Sequence, residues 1–204
     1  MIVLINGGPA IDRFGHSDYV ARLISPRCGN IILPGQRWAA DNDAFLAWDE
    51  IKFRRMLESR KHVPGCLFVS VPDVVADAKL TRDRFFSWHE QISLMGYSLA
   101  FVGQDGIENL EVPWDLFGTW FIGGSTDWKL SQASRDLVKE SKQRGKWVHM
   151  GRVNSLSRIS RAYHWGCDSI DGSGWSKFPD VYAKKHLPFM VSLHHQRVMT
   201  GFFG

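Results

Sequence analysis

No run of apolar residues in the chain approaches the 18 needed to cross a bilayer, which argues against a transmembrane segment. No positively charged stretch precedes the short apolar run of the N-terminus, MIVLINGGPAIDRFGH. That segment is expected to be a first strand and its loop, not a signal peptide. Cysteine is scarce: Cys28, Cys66 and Cys167 are odd in number, widely spaced and form no C-x-x-C pair. Such usage fits a reduced, cytoplasmic protein and gives little support to a structural zinc site. Low-complexity linkers and sharp breaks of composition are also missing, so residues 1–204 are expected to form one domain, long enough to bury a full core.

What is present is ordinary in bulk and uneven in detail. Hydrophobic residues at 44% and charged residues at 23% suit a soluble globular protein. The net charge of +4 conceals an asymmetry. Residues 1–128 carry 12 Lys/Arg against 16 Asp/Glu (net −4), whereas residues 129–204 carry 13 against 5 (net +8). A basic C-terminal part suits a polyanion, although solvated Lys/Arg-rich helix faces account for the charge equally well. Nine Trp sit mostly among apolar neighbours and are expected in the core.

Strand and helix patterns alternate along the chain. Ile2–Ile5 runs into the breaker loop Asn6-Gly7-Gly8-Pro9, and Arg37–Ala40 leads to Asp41-Asn42. Residues 43–60 read as a helix with Phe45, Trp48 and Ile51 on one side. Cys66–Val71 is a continuous apolar run of the kind buried on both faces of a parallel sheet, stopping at Pro72-Asp73. Residues 81–95 form an amphipathic helix pattern with Phe85, Trp88, Ile92 and Met95 inward and Gly96 at its C-cap. Leu99–Val102 ends in Gly103-Gln104-Asp105-Gly106, and Thr119–Ile122 in Gly123-Gly124. A basic helix over 131–144, a strand Trp147–Met150 ending in Gly151, and a helix over 155–165 with Leu156, Ile159 and Tyr163 inward follow. The last clear strand is Cys167–Ile170, ending at Asp171-Gly172. Alternation of this kind indicates an α/β fold built on a parallel sheet. With about seven strands visible, a (β/α)8 TIM-like barrel would be compact or degenerate at one end.

Six chemically suggestive groups therefore fall at successive strand ends, about 20 to 32 residues apart: Asp41, Asp73, Gln104, Gly123-Gly124, Met150-Gly151 and Asp171. Singly, a strand-end Asp is often a helix cap and Gly-Gly a tight turn. In a parallel barrel, however, all strand C-termini share the face that carries active sites.

In order and spacing, from about residue 38 to 173, these segments resemble the tRNA-guanine transglycosylases. Trp147-Val-His-Met-Gly-Arg-Val-Asn-Ser, a helix, then Gly166-Cys-Asp-Ser-Ile-Asp171 look like the family's Met-Gly strand followed by the strand that delivers an aspartate nucleophile. Phe121-Ile-Gly-Gly124 is similar to its glycine pair, Val102-Gly-Gln104-Asp-Gly106 to its Gln-Gly-Gly strand end, and Asp41-Asn-Asp-Ala-Phe45 to its Asp-Ser-Gly-Gly-aromatic loop. The resemblance implies a (β/α)8 barrel that exchanges guanine for a 7-deazaguanine, with Asp171 attacking C1′ of the nucleoside and Asp41 shuttling a proton on the departing and incoming bases. By the same analogy Asp73 would accept from the guanine N1–H and amine, and Gln104 and the Gly124 N–H would donate to O6, with Gly123 and Gly151 framing the pocket. Phe45 and Met150 would sandwich the base, although core packing explains those two residues as readily. No cofactor and no metal are implied.

The chain departs from the tRNA enzymes in ways that bear on the polymer. No cysteine follows Cys167, His186, His194 and His195 do not rebuild the family's zinc site, and Gly172-Ser173-Gly174 replaces a Pro-Thr-Arg-like segment. In these respects it is more similar to short, zinc-less phage-encoded relatives associated with placing 7-deazaguanines, of preQ type, in DNA. The expected partner is therefore DNA more than tRNA, in a host cytoplasm and with no membrane role; a homo-oligomer is compatible. Arg152, Asn154, Arg158 and Arg161 are the candidate nucleic-acid contacts, continued by Arg135, Lys139, Lys142 and Arg144 as a basic face. Three rivals stand: a metal-dependent barrel hydrolase using Asp41, Asp73, His149 and Asp171, a non-catalytic nucleic-acid-binding barrel, and an enzyme of free nucleosides. Against the first, the chain has no H-x-H or H-E-x-x-H ligand pair. Asp168 is expected to be structural, and the roles of Asp105 and Phe202-Phe203 are open.

Overall fold

All strands of the protein but the last carry apolar residues on both of their faces, and a strand so built must be covered on both sides. The computed structural model describes residues 1–7, 9–15, 17–28 and 31–200, without the side chains of Pro9 and residues 195–200. Gly8, the His195 side chain and Phe202-Phe203 thus lie outside the described residues. Eight parallel strands close into a barrel in sequence order. They are β1 (Ile2–Asn6), β2 (Val20–Ile24), β3 (Trp38–Ala40), β4 (Cys66–Ser70), β5 (Leu99–Gly103), β6 (Thr119–Ile122), β7 (Trp147–Met150) and β8 (Ser169–Asp171). The fold is a compact (β/α)8 TIM-like barrel.

The alternation of side chains along the strands sorts the core into two shells. Ile2, Leu4, Ala21, Leu23, Ala39, Phe68, Ala100, Val102 and Phe121 fill the barrel interior. Their neighbours, among them Val3, Ile5, Val69, Phe101, Trp120, Met150 and Ile170, face outward into a larger shell shared with the helices. Six of the nine Trp are buried.

The helices are α1 (Glu50–Arg60), α2 (Ala78–Leu94), α3 (Thr126–Lys129), α4 (Gln132–Gln143), α5 (Leu156–Trp165), α6 (Ser173–Lys177), α7 (Pro179–Val181) and α8 (Leu187–Thr200). Three connections lack an α-helix: β1 reaches β2 through a 3-10 turn at Pro9–Phe14, β2 reaches β3 without a helix, and β5 reaches β6 through two 3-10 turns, Ile107–Asn109 and Trp114–Leu116. β2 is the strand that the sequence pattern does not reveal, because Arg22 interrupts its apolar run and no helix flanks it. The structure buries Arg22 and has its guanidinium donate to the Gly7 carbonyl.

Local capping sets most helix limits. Asp77, Ser131 and Ser155 cap α2, α4 and α5, each accepting a backbone N–H three residues on. Phe85, Trp88 and Ile92 are buried as expected. The helix expected over 43–60 is shorter. Its first residues form a turn around Asp43, whose φ is +61°, and Asp49 caps α1 instead. Ile51 is consequently 64% exposed, and the buried residues of α1 are Phe53 and Leu57, with Trp48 resting on Phe53 and Trp88. Among the described residues no helix is long and apolar enough to cross a membrane.

Candidate active site

Because all eight strands run in parallel, their C-terminal ends bring the expected groups to one face. A cleft opens there. Asp41 and Asp171 line it, with Asp73 and Gln104 beside them; Phe45, Gly123, Gly124 and Gly151 complete the expected set. Asn42, Val75, Phe121 and Arg152 join them. Residues separated by as many as 130 positions therefore meet around one cavity.

Met150 is the correction. The pleat of β7 turns Trp147 and His149 inward and Val148 and Met150 outward, so the fully buried Met150 packs into the outer shell and does not line the cleft. It cannot sandwich a base. Phe45 can present a face to one: it is 62% exposed at the rim, with the Arg152 guanidinium 4.7 Å over its ring.

The floor is a closed hydrogen-bonded chain. The Asn42 amide donates to Asp73 Oδ1 at 2.8 Å, and Gln104 Nε2 donates to Asp73 Oδ2 at 2.6 Å. Gln104 Oε1 accepts from the N–H of Ala76 (2.8 Å) and of Gly124 (3.0 Å). Two N–H groups on one side and a carboxylate on the other fix the orientation of the amide. Gly124 N–H, expected to face a ligand, is thus spent on Gln104. What remains for a ligand is the second Nε2–H of Gln104 and the unused lone pairs of Asp73. Burial raises the Asp73 carboxyl above its ordinary value, against the pull of the Asn42 and Gln104 hydrogen bonds. The glycine pair is required by space: a Cβ on Gly123 would lie 2.9 Å from the Gly103 carbonyl oxygen, and one on Gly124 (φ +64°) 2.3 Å from Trp128.

The two catalytic candidates are pushed in opposite directions. Burial, followed by the charges of Asp171, Asp43 and Asp73, pushes Asp41 up to about 8, with the N–H of Asn42 at 2.8 Å pulling the other way. Burial would raise Asp171 too. The hydrogen bond and electrostatic pull of His149, the N–H of Arg152 and the charge of Lys129 outweigh it and hold Asp171 below its ordinary value. At neutral pH Asp41 is therefore a carboxylic acid and Asp171 a carboxylate, the condition under which two like groups take different roles.

Behind Asp171 lie residues to which the resemblance gives no role, His149 having been considered only as a metal ligand. His149 Nε2 is 2.8 Å from Asp171 Oδ2, its Nδ1 is 2.8 Å from Ser169 Oγ, and Ser169 Oγ accepts from Trp147 Nε1 at 2.8 Å. Ser, His and Asp in this order suggest a hydrolase triad, but the accessible end is the wrong one for that chemistry. Ser169 and His149 are fully buried in the barrel interior, whereas the Asp171 side chain is 16% exposed to the cleft. The group presented to the cleft is the carboxylate. Lys129, also buried, donates from Nζ to the Gly151 carbonyl at 2.6 Å; burial and the neighbouring Arg152 push it down to about 7.

A second cleft adjoins the first, sharing Asp41, Phe45, Arg152 and Asp171 with it. Its own lining includes Asn154, Arg158, Ser173, Ser176 and Lys177. None of Arg152, Arg158 and Lys177 lies within ion-pair distance of a carboxylate of the described residues. Arg161 is not part of this group. It lies exposed on α5, over Trp165, with its guanidinium on the Leu130 carbonyl. The expected basic face also breaks up along α4. That helix runs antiparallel to the strands, so Lys142 and Arg144 come to the opposite end of the barrel, where Asp168 and Glu140 neutralise them. Asp168 is structural as expected, holding Lys142 and the Val148 N–H. Asp105 likewise serves the loop, accepting from the Ser125 N–H and hydroxyl.

The metal-ligand set considered from the sequence does not assemble: among the described residues no group of three or more His, Cys, Asp or Glu is placed to hold an ion. Both His149 nitrogens are already engaged. Neither a family model nor any curated protein sequence matches the chain.

Proposed function

We propose that the protein is a base-exchange transglycosylase that replaces guanine in a polynucleotide, DNA in preference to tRNA, with a 7-deazaguanine such as a preQ-type base. The observation that carries this reading is the pairing of an acid, Asp41, with an ionised Asp171 in one cleft whose floor, Asp73 and Gln104, complements the edge of guanine. Asp73 accepts from N1–H and the exocyclic amine, and the free Nε2–H of Gln104 donates to O6. Adenine presents the opposite pattern and would set its N1 acceptor against the carboxylate of Asp73, whose remaining lone pairs would find no donor.

In the first half-reaction an Asp171 oxygen forms a bond to C1′ while the C1′–N9 bond breaks. The bonding pair leaves with guanine, which takes the proton of Asp41. In the second half, Asp41, now a carboxylate, removes the N9 proton of the incoming 7-deazaguanine. That nitrogen attacks C1′, and the ester bond to Asp171 breaks with its electron pair returning to the carboxylate. The second cleft, with Arg152, Asn154, Arg158 and Lys177, supports a polyanionic substrate over a free nucleoside.

The test is incubation of the protein with guanine-containing DNA and an isotopically labelled 7-deazaguanine, followed by digestion and mass spectrometry of the nucleosides. Label should enter the DNA with the wild type and not with Asp171→Ala, while both bind the oligonucleotide. Absence of label with the wild type on both DNA and tRNA, across the 7-deazaguanine bases, would end the proposal.

A further inference from the structure

The chain of Trp147, Ser169 and His149 behind Asp171 has no part in the reaction as written, and it is costly. Three polar side chains occupy the interior of the barrel, where Phe68, Phe121 and their neighbours otherwise pack apolar against apolar. Buried polar groups persist when each has a partner, and here each does. Trp147 Nε1–H donates to Ser169 Oγ, Ser169 Oγ meets His149 Nδ1, and His149 Nε2 meets Asp171 Oδ2, every step at 2.8 Å. The imidazole is wedged edge-on against Phe121, with ring centroids 4.4 Å apart, and lies 5.2 Å from Phe68, so it cannot turn away.

We infer that His149 is the positioning residue of the nucleophile: its Nε2–H, aimed by Ser169 and Trp147, holds the Asp171 carboxylate in its attacking orientation and stabilises it as an anion. This rests on the transglycosylase reading and deepens it. Because Nε2 faces a carboxylate, its proton stays there whether the ring is neutral or charged. In the neutral ring the Ser169 hydroxyl donates to Nδ1, and Trp147, which can only donate, occupies one lone pair of Ser169.

The chemistry gives this anchor a purpose. Base exchange runs nearly the same reaction forward and then backward, so Asp171 must both attack C1′ and leave it. A donor that stabilises the carboxylate keeps it ionised for attack and makes it the better leaving group in the second half. The Arg152 N–H, 3.0 Å from Oδ1, holds the other oxygen, leaving each oxygen a free lone pair for the sugar. The groups facing Asp171 are His149, Asp41, Arg152 and Lys129. Of these, only His149 reaches it from the barrel interior.

The experiment measures exchange on a guanine-containing oligonucleotide across pH for wild type, Ser169→Ala, His149→Gln and His149→Phe, with thermal unfolding as a check on folding. His149→Phe should lower kcat about 10- to 100-fold with KM for the oligonucleotide unchanged. His149→Gln, whose amide still donates, should recover part of the loss. The acid limb of the kcat profile, set by ionisation of Asp171, should move to higher pH in His149→Phe and Ser169→Ala. Independently of turnover, the 15N resonances of His149 should show a proton on Nε2 in the wild type and should shift in Asp171→Asn. Loss of kcat equal in the Gln and Phe variants with an unmoved acid limb, or a His149 that carries no Nε2 proton, would overturn the inference. A wild type that exchanges no base overturns the functional reading instead, and the resonance measurement still decides the His149–Asp171 bond.

Discussion

Asp41 is held at about 8 by burial and by the charges of Asp171, Asp43 and Asp73, and this displacement must be visible in the stability of the whole protein. A carboxyl whose folded value lies above its unfolded one binds a proton in the native state that the unfolded chain has released. Its contribution to stability is present in full below about pH 4 and is lost as pH rises through about 8. From 3.8 to about 8 the loss amounts to at most about 6 kcal/mol. Rearrangement and water entering the open cleft recover part of it, so about 2–4 kcal/mol is expected. Asp41→Asn has the same shape and no charge to bury, and it removes the term. The variant should match the wild type near pH 4.5 and exceed it by that amount at pH 8.5, while losing base exchange. Urea unfolding followed by the fluorescence of the nine Trp measures both curves. The difference between the two proteins is the proper quantity, because Lys129, pushed down to about 7, contributes with the opposite sign above that pH. A difference that stays constant from pH 4.5 to 8.5 would refute the placement of Asp41 as a neutral acid. The same placement predicts that exchange itself declines above about pH 8, as the proton donor is lost.

Gly151→Ala should cripple the site without unfolding the protein: its Cβ would sit 2.7 Å from a ring carbon of Phe121 and 3.4 Å from Asp171 Oδ2, intruding on the cleft. At least a tenfold fall in kcat/KM with an unchanged circular dichroism spectrum is expected. Removing two unpaired cations of the second cleft, Arg158→Ala with Lys177→Ala, should weaken oligonucleotide binding by a similar factor for all sequences. The slope of log affinity against log salt should fall by about 1.5 to 2. An unchanged slope in a fluorescence anisotropy titration would remove that cleft from the binding surface.

The parts of the fold written in contiguous residues were legible in the sequence; the parts written across the barrel were not. Cys66–Val71 and Thr119–Ile122 announce themselves as buried parallel strands, and the Asp, Gln and Gly residues that end them follow by counting. β2 does not, because Arg22 sits in its middle and its buried partner, the Gly7 carbonyl, lies on the neighbouring loop. Phe45 and Ile51 looked like one helix face because the spacing fitted, but Asn42 and Asp49 bind the local backbone and turn that stretch into a loop. Likeness of motif assigned Met150 to a base, whereas the two-residue period of the strand points it outward and turns His149 in. That period was available in Trp147–Gly151 and carried more information than the motif. Lys129 gave no signal at all: it stands on a four-residue helix, and only the closure of the barrel sets its amine beneath Gly151.

Two layers of the molecule therefore divide the work at the site. Asp171 takes most of its ionisation from His149 of β7, which Ser169 of β8 holds in the barrel interior, with the Arg152 N–H and Lys129 adding to it. Asp41 takes its proton from its position on the loop side, among Asp43, Asp73 and Asp171, where each neighbour is also a ligand-facing or loop-forming group. On the transglycosylase reading proposed above, a change of loop would alter which base or polymer enters while leaving Asp171 untouched, whereas a change at His149 would strike Asp171 whatever is bound. This separation is also the physical argument against the hydrolase alternatives. Opening Ser169 to a substrate would require dismantling the strand pairing around it, and recruiting His149 to a metal would strip Asp171 of the donor that keeps it ionised.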